Sequence, residues 1–191
     1  ELTDNSIIAI LKGHPFGELD PDGRVIAAAD VKFLAPILPS KVIGIGTNYA
    51  DHAAEMNSEH PSEPLIFLKP STSVIGPNDA IALPSQSTMV HHEAELAVVI
   101  GRFCKDVPRE RVADVILGYT FANDVTARDL QKADGQWARG KGFDTFCPLG
   151  PWIQTDIDVS DLGVTAYVAD QLRQSGSTKD LIFSVVDIVS F

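Results

Sequence analysis

Apolar positions fall in short runs broken by proline, glycine and aspartate, the punctuation of strands rather than of long helices. Val42 to Gly46 reads as a buried strand, and Leu65 to Leu68 and Ile81 to Leu83 as strands stopped by Pro70 and Pro84, since proline cannot donate to a central ladder. His-His-Glu-Ala-Glu-Leu at 91–96 runs into Ala97, Val98, Val99 and Ile100 and reads as one strand. Tyr119 to Ala122, ending at Asn123-Asp124, and Trp152 to Gln154 and Val164 to Val168 give three more. Helical spacing is confined to a short segment after Pro108, through Val112, Val115 and Ile116, and to Thr178–Phe191, with Leu181, Ile182, Val185, Val186 and Val189. Strands outnumber helices and no regular βαβ alternation appears, so the expected class is mainly β with short helices, α+β.

Residues 1–38 carry turn signals at His14-Pro15-Phe16-Gly17 and Asp20-Pro21-Asp22-Gly23 around pieces such as Val25 to Ala28, which predicts a small N-terminal region of short strands. Pro36 and Pro39 bracket a linker, and a main domain is expected over 39–191.

At 191 residues, 45% hydrophobic and 21% charged, the chain has the composition of an ordinary globular protein. The net charge of −11 repels nucleic acid and anionic membrane surfaces, so an anionic ligand needs a local positive centre. No apolar stretch approaches the roughly 18–20 residues of a membrane span, and the expected location is cytoplasmic. Cys104 and Cys147 form no Cys-x-x-Cys pattern and are expected to be buried free thiols. The chain has no initiator Met, and its last segment stops without a Gly or Asn cap, so sequence is expected beyond Phe191.

Candidate chemistry centres on carboxylates. Side chains alternate along a strand, so Glu93 and Glu95 are expected on one face, where a divalent cation would offset their repulsion and lost hydration. Asp124, at a strand end, would complete an all-oxygen site for magnesium, manganese or calcium, while the plain alternative is a solvated face with each glutamate paired to a lysine or arginine. His52 and Glu55 stand three apart behind Asn48 and Tyr49. On a helical turn the carboxylate would raise the imidazole's basicity as a general base needs, although such surface pairs are ordinary. The polar stretch 57–63 reads as a flexible lid. Arg128, close to Asp124 and Gln131, suits a ligand carboxylate through its planar fork, or equally a structural acid such as Asp129. Lys141, between Gly140 and Gly142, is either an anion anchor in a glycine loop or a turn lysine in solvent.

Four segments, taken together, are more specific. Gly46–Glu55 (GTNYADHAAE), His92–Leu96 (HEAEL), Asn123–Gln131 (NDVTARDLQ) and Lys141–Pro151 (KGFDTFCPLGP) resemble, in order and spacing, the fumarylacetoacetate hydrolase family, and the first 38 residues resemble the small N-terminal region of its bacterial members. The resemblance implies a mixed β-sandwich roll with short helices, usually a homodimer. Magnesium or manganese would be held through Glu93, Glu95 and Asp124. His52 and Glu55 fall on the family's catalytic dyad, Lys141 on a catalytic position that supports developing charge, and Tyr49, Arg128 and Gln131 on or beside positions that contact substrate. Family members continue into a Thr-Gly-Thr-Pro-like loop that this sequence lacks.

The expected substrate is a small anionic 2-oxo acid. The expected reaction is metal-dependent cleavage of a carbon–carbon bond in a 2-oxo diacid or acylpyruvate, by hydrolysis or by oxaloacetate-type decarboxylation through a metal-stabilised enolate. An isomerase or tautomerase of 2-hydroxyhepta-2,4-diene-1,7-dioate type in aromatic catabolism shares that enolate. A non-catalytic metal-binding domain is the alternative from another class.

Overall fold

The structure, a computed structural model, describes residues 6–49 and 61–191. Two compact units emerge, Glu1–Phe33 and Leu34–Phe191. In the first, β1 (Ile7–Leu11) and β2 (Pro21–Ala27) form an antiparallel pair in which Ile7 faces Ala27 and Ala9 faces Val25. The turn joining them is tied at its base by Lys12 and Asp20, 3.0 Å apart.

The second unit is built on a four-stranded sheet ordered β5-β10-β8-β7, from Val74–Ile75 (β5), Cys147–Gln154 (β10), Ile116–Asn123 (β8) and Ala94–Ile100 (β7). The β7–β8 ladder sets Glu95 opposite Ala122 and Ala97 opposite Thr120, and β10 places Leu149 opposite Ala122. Glu95, Ala97, Thr120 and Ala122 therefore share one face, and Leu149 and Cys147 follow on it by the period of two. Three two-stranded ladders surround this sheet: β3 (Val42–Gly46) with β4 (Leu65–Lys69), β6 (Val90–His91) with β9 (Thr126–Ala127), and β11 (Gly163–Val168) with β12 (Gln171–Ser177). The described helices are short: α1 (Arg128–Asp134), α2 (Ala138–Lys141), α3 (Val185–Ser190) and 3-10 turns such as Arg109–Asp114. Val125, Ala127 and Phe146 form a buried cluster, with Ile81, Val90, Leu130 and Phe143 packed against it. The α+β class with a preponderance of strands holds.

Several local expectations are corrected. Ile81–Leu83 is irregular, because Ile81 is held as a packing residue of that cluster and not by a strand ladder. Val42–Gly46 is a strand but not a buried one: Ile43 is 53% exposed, and its β4 neighbours Ile66 and Leu68 are 51% and 57% exposed. The other face of that ladder, carrying Phe67 and Lys69, turns inward. The final helix does not begin at Thr178. Ser184 starts it with a reciprocal cap, its hydroxyl accepting from Asp187 N while Asp187 accepts from Ser184 N. Cys104 is exposed and only Cys147 is buried, since the turn carrying Cys104 lies outside the sheet.

Candidate metal centre and active site

Glu93 lies in the two-residue gap between β6 and β7, not inside a continuous strand as alternation from 91 to 100 would require. Its backbone is held there by Asn123, whose Oδ1 accepts from Glu93 N at 3.0 Å, while Asp124 N donates to Glu93 O at 2.8 Å. This tie brings the strand end carrying Asp124 against the gap. One carboxylate oxygen from each of Glu93, Glu95 and Asp124 lies within 4.8 Å of the others. The convergence arises from the chain crossing at 93 and 124, not from strand periodicity alone.

Two buried lysines face these carboxylates. Lys141 Nζ donates to Glu93 Oε2 at 2.7 Å, to Asp124 Oδ2 at 2.5 Å and to the Thr126 hydroxyl at 2.9 Å. Lys69 Nζ donates to Asp124 Oδ1 at 2.5 Å and to Val125 O at 3.3 Å. On the solvent side, Arg128 Nη2 donates to Glu93 Oε1 at 2.5 Å and its Nη1 to Gln131 Oε1 at 3.1 Å. The β6–β9 ladder makes this possible, because Arg128 N donates to Met89 O and the helix carrying Arg128 and Gln131 starts directly beside Glu93. Asp129 is not the partner of Arg128. It accepts from the Ser87 hydroxyl at 2.6 Å and from Thr88 N at 2.9 Å.

Lys141 is neither in a glycine loop nor in solvent. It ends α2 and is 3% exposed. The flanking glycines serve close packing: a Cβ at Gly140 would lie 2.8 Å from Gln131 N, and one at Gly142 2.4 Å from Ala138 O.

The electrostatics separate the two glutamates. Burial works to raise the Glu93 pKa, but the charges of Lys141 and Arg128 override it and hold the carboxyl at about 2. Glu95 is pushed up to about 8, first by burial and then by the negative charges of Asp124 and Glu93. A divalent cation among the three oxygens would relieve that repulsion, and an all-carboxylate donor set suits a hard ion such as magnesium or manganese. The residues present therefore fit such an ion.

The site opens on a cavity of about 560 Å³ lined by Glu93, Glu95, Arg128, Tyr49, His91 and Arg173, among others. Burial, with Glu95 nearby, pushes the Tyr49 phenol up to about 12. The segment leading to Tyr49 is fixed by Asn48, whose side chain accepts from Phe183 N at 2.8 Å and donates to Phe183 O at 3.0 Å. His52 and Glu55, and most of the stretch expected to be a lid, lie outside the described residues. The far wall is the β11–β12 hairpin, where Gln174 donates to Ala94 O at 2.6 Å and accepts from Ala94 N at 2.8 Å.

Sequence reasoning passed over Lys69, Arg173 and Gln174. Lys69 carried a usable signal, since it ends an otherwise apolar strand two residues after Phe67 and so shares the face of that ring. Arg173 and Gln174 carried none, because β12 has the polar sequence QLRQSGS.

A strand-rich α+β fold thus gathers three carboxylates beside a cavity, together with two buried lysines and an arginine. The model for the C-terminal domain of fumarylacetoacetate hydrolase matches residues 41–191, and the chain belongs to that family. Residues 2–36 match the Rv2993c-like N-terminal region. Protein Rv2993c of Mycobacterium tuberculosis is 53% identical over 93% of this chain and 68% of its own length. The mitochondrial oxaloacetate tautomerase fahd2 of Xenopus laevis is 43% identical over 91% of this chain and 56% of its own. Among solved structures, 5-carboxymethyl-2-hydroxymuconate delta-isomerase from Mycobacterium smegmatis matches with TM-score 0.91 and 52% identity, over 98% of this chain and 73% of that one. Maleylpyruvate hydrolase from Sphingobium, in complex with manganese(II) and pyruvate, matches with TM-score 0.73 and 35% identity, over 87% of this chain and 59% of that one. The chain thus spans a little over half to about three quarters of these relatives. Among the described residues, no helix is long and apolar enough to cross a membrane.

Proposed function

We propose that this protein is a divalent-metal-dependent enzyme acting on a small 2-oxo acid, cleaving a carbon–carbon bond in a 2-oxo diacid or acylpyruvate. The observation that carries this reading is the convergence of Glu93, Glu95 and Asp124 oxygens within 4.8 Å, with Glu93 and Glu95 lining a cavity together with Arg128. Magnesium or manganese held by these three carboxylates would polarise the 2-oxo group and stabilise negative charge on its oxygen. Arg128 and Gln131, already joined to each other, present a guanidinium fork and an amide to the substrate carboxylate, and Tyr49 adds a neutral phenol to the same wall. Lys141 brings a buried ammonium that steadies developing charge on the substrate. His52, assisted by Glu55, takes the proton from water in the hydrolytic case. The protein is read as a cytoplasmic homodimer.

The second reading is an isomerase or tautomerase. It draws on the 52% identity to the delta-isomerase and the 43% identity to the oxaloacetate tautomerase, and it needs only proton shuttling at the same site.

One experiment tests both. Purified protein is assayed with oxaloacetate, acylpyruvates and an unsaturated heptadioate, with and without manganese, alongside His52→Ala. Carbon–carbon cleavage that needs metal and falls by roughly 10²–10⁴-fold in His52→Ala supports the first reading. Double-bond or keto–enol shifts without cleavage favour the second, and no turnover of any substrate would overturn both.

A further inference from the structure

Lys141 is held from a side that the carboxylates do not account for. Gly44 and Gly46 of β3 leave its backbone bare: a Cβ at Gly44 would fall 2.1 Å from Phe67 Cζ, and one at Gly46 2.3 Å from Trp137 Cζ3. Two rings occupy that space, Phe67 from β4 and Trp137 from the residue before α2. They meet edge to face, with centroids 5.5 Å apart and planes at 64°. The Lys141 ammonium lies 4.8 Å from the Phe67 centroid and 5.8 Å from that of Trp137, both within the range of cation–π attraction.

This arrangement differs in kind from an ion pair. All three ammonium protons have oxygen partners, Glu93, Asp124 and Thr126, so the rings stabilise the remaining positive charge on the nitrogen and its Cε methylene. Glu93 and Asp124 already balance its charge, so a further carboxylate would only compete for the same protons. Aromatic faces hold the charge in place without taking any of those three protons. The lysine is 3% exposed, and in such surroundings cation–π attraction is strongest.

We propose that Phe67 and Trp137, seated on Gly44 and Gly46, are positioning residues that hold the Lys141 ammonium against Glu93 and Asp124. The kinetic consequence rests on the reading of Lys141 as a catalytic group, while the placement of the ammonium stands by itself.

The experiment therefore has two readouts. In protein labelled with ¹³C-lysine, the Lys141 Cε methylene, assigned by its loss in Lys141→Met, is expected upfield of the other lysines through ring currents, and is expected to return toward them in Trp137→Leu and Phe67→Leu. In a Trp152→Phe background, replacing Trp137 with mono-, di- and trifluorotryptophan weakens the π face while keeping its shape. Turnover is expected to fall stepwise, reaching about 10-fold in Trp137→Leu, with the melting temperature of the fluorinated proteins and their manganese affinity unchanged. A methylene at the ordinary lysine position in the unsubstituted protein overturns the seat. A shifted methylene with turnover flat across the fluorinated series overturns its kinetic role. Full turnover in Lys141→Met, with the methylene shift in place in the unsubstituted protein, overturns the catalytic reading of the lysine and leaves the seat standing.

Discussion

Lys69 and Asp124 form an ion pair at 2.5 Å in which the two side chains are only 2% and 7% exposed. Removing Lys69 leaves Asp124 with Lys141 as its remaining buried counter-ion, also at 2.5 Å, so the loss is that of one charge-assisted hydrogen bond, about 1.5–3 kcal/mol. Lys69→Met is expected to lose stability on that scale in metal-depleted protein, measured by urea denaturation. The double variant with Asp124→Asn is expected to be less destabilised than the two single losses added together. Strict additivity would show that the pair is not coupled.

If the three carboxylates hold a divalent ion, its binding must stabilise the folded chain. At a hundredfold excess over its dissociation constant, manganese is expected to add about 2.7 kcal/mol, read as a rise in melting temperature. Glu95→Gln and Asp124→Asn are expected to lose most of that rise, whereas His52→Ala is expected to keep it. An unchanged melting temperature at millimolar magnesium and manganese would remove the metal site.

The C-terminal helix supplies a pH dependence. Asp187 is held down to about 2 by the Ser184 hydroxyl, by Arg109 and by Ser184 N–H. The folded value lies below the ordinary 3.8, so the contribution is present above about pH 4 and is lost as the pH falls from there toward 2. With about a third of its side chain exposed, the carboxylate is partly screened and the effect is modest. Asp187→Asn is expected to flatten the acid limb of a melting-temperature profile between pH 4 and 2, with its loss of stability largest at neutral pH and vanishing toward pH 2. An acid limb identical to that of the unsubstituted protein would show that Asp187 does not contribute to it.

Gln174 satisfies both backbone groups of Ala94, and truncation would leave that N–H and C=O without their partner. Gln174→Ala is expected to cost about 1–3 kcal/mol and to speed amide exchange in β12 ahead of β7. Uniform exchange in both strands would count against an independent hairpin.

Much of this architecture was legible in the sequence. The apolar runs located β3, β4, β7, β8 and β11, and four motifs identified the family. What escaped notice did so for physical reasons. In Ile81–Leu83, Ile81 packs on Val125 and Phe146 while Leu83 is 71% exposed, and an apolar run alone does not distinguish a strand from an ordered loop. The polar strand β12 shows no hydrophobic alternation, since its groups pair with β11 and with Ala94. The carboxylate cluster was expected for a partly wrong reason: Glu95 sits on a strand, but Glu93 joins it through a chain crossing at Asn123 and Asp124 that no local pattern encodes. Lys141 looked like a loop residue because glycines flank it, and the close approach of Gln131 to Gly140 and of Ala138 O to Gly142 explains why they are there.

Attachment of the β11–β12 hairpin to β7 by packing and by the Gln174 amide at Ala94 has an evolutionary reading. That wall of the cavity packs against β7 and is tied to it by the Gln174 amide instead of being woven into the ladder of the four-stranded sheet, so insertions near Ala169 and Asp170 could reshape the chamber without shifting the register of β7. Relatives could then diversify in ligand size while leaving the carboxylate cluster untouched.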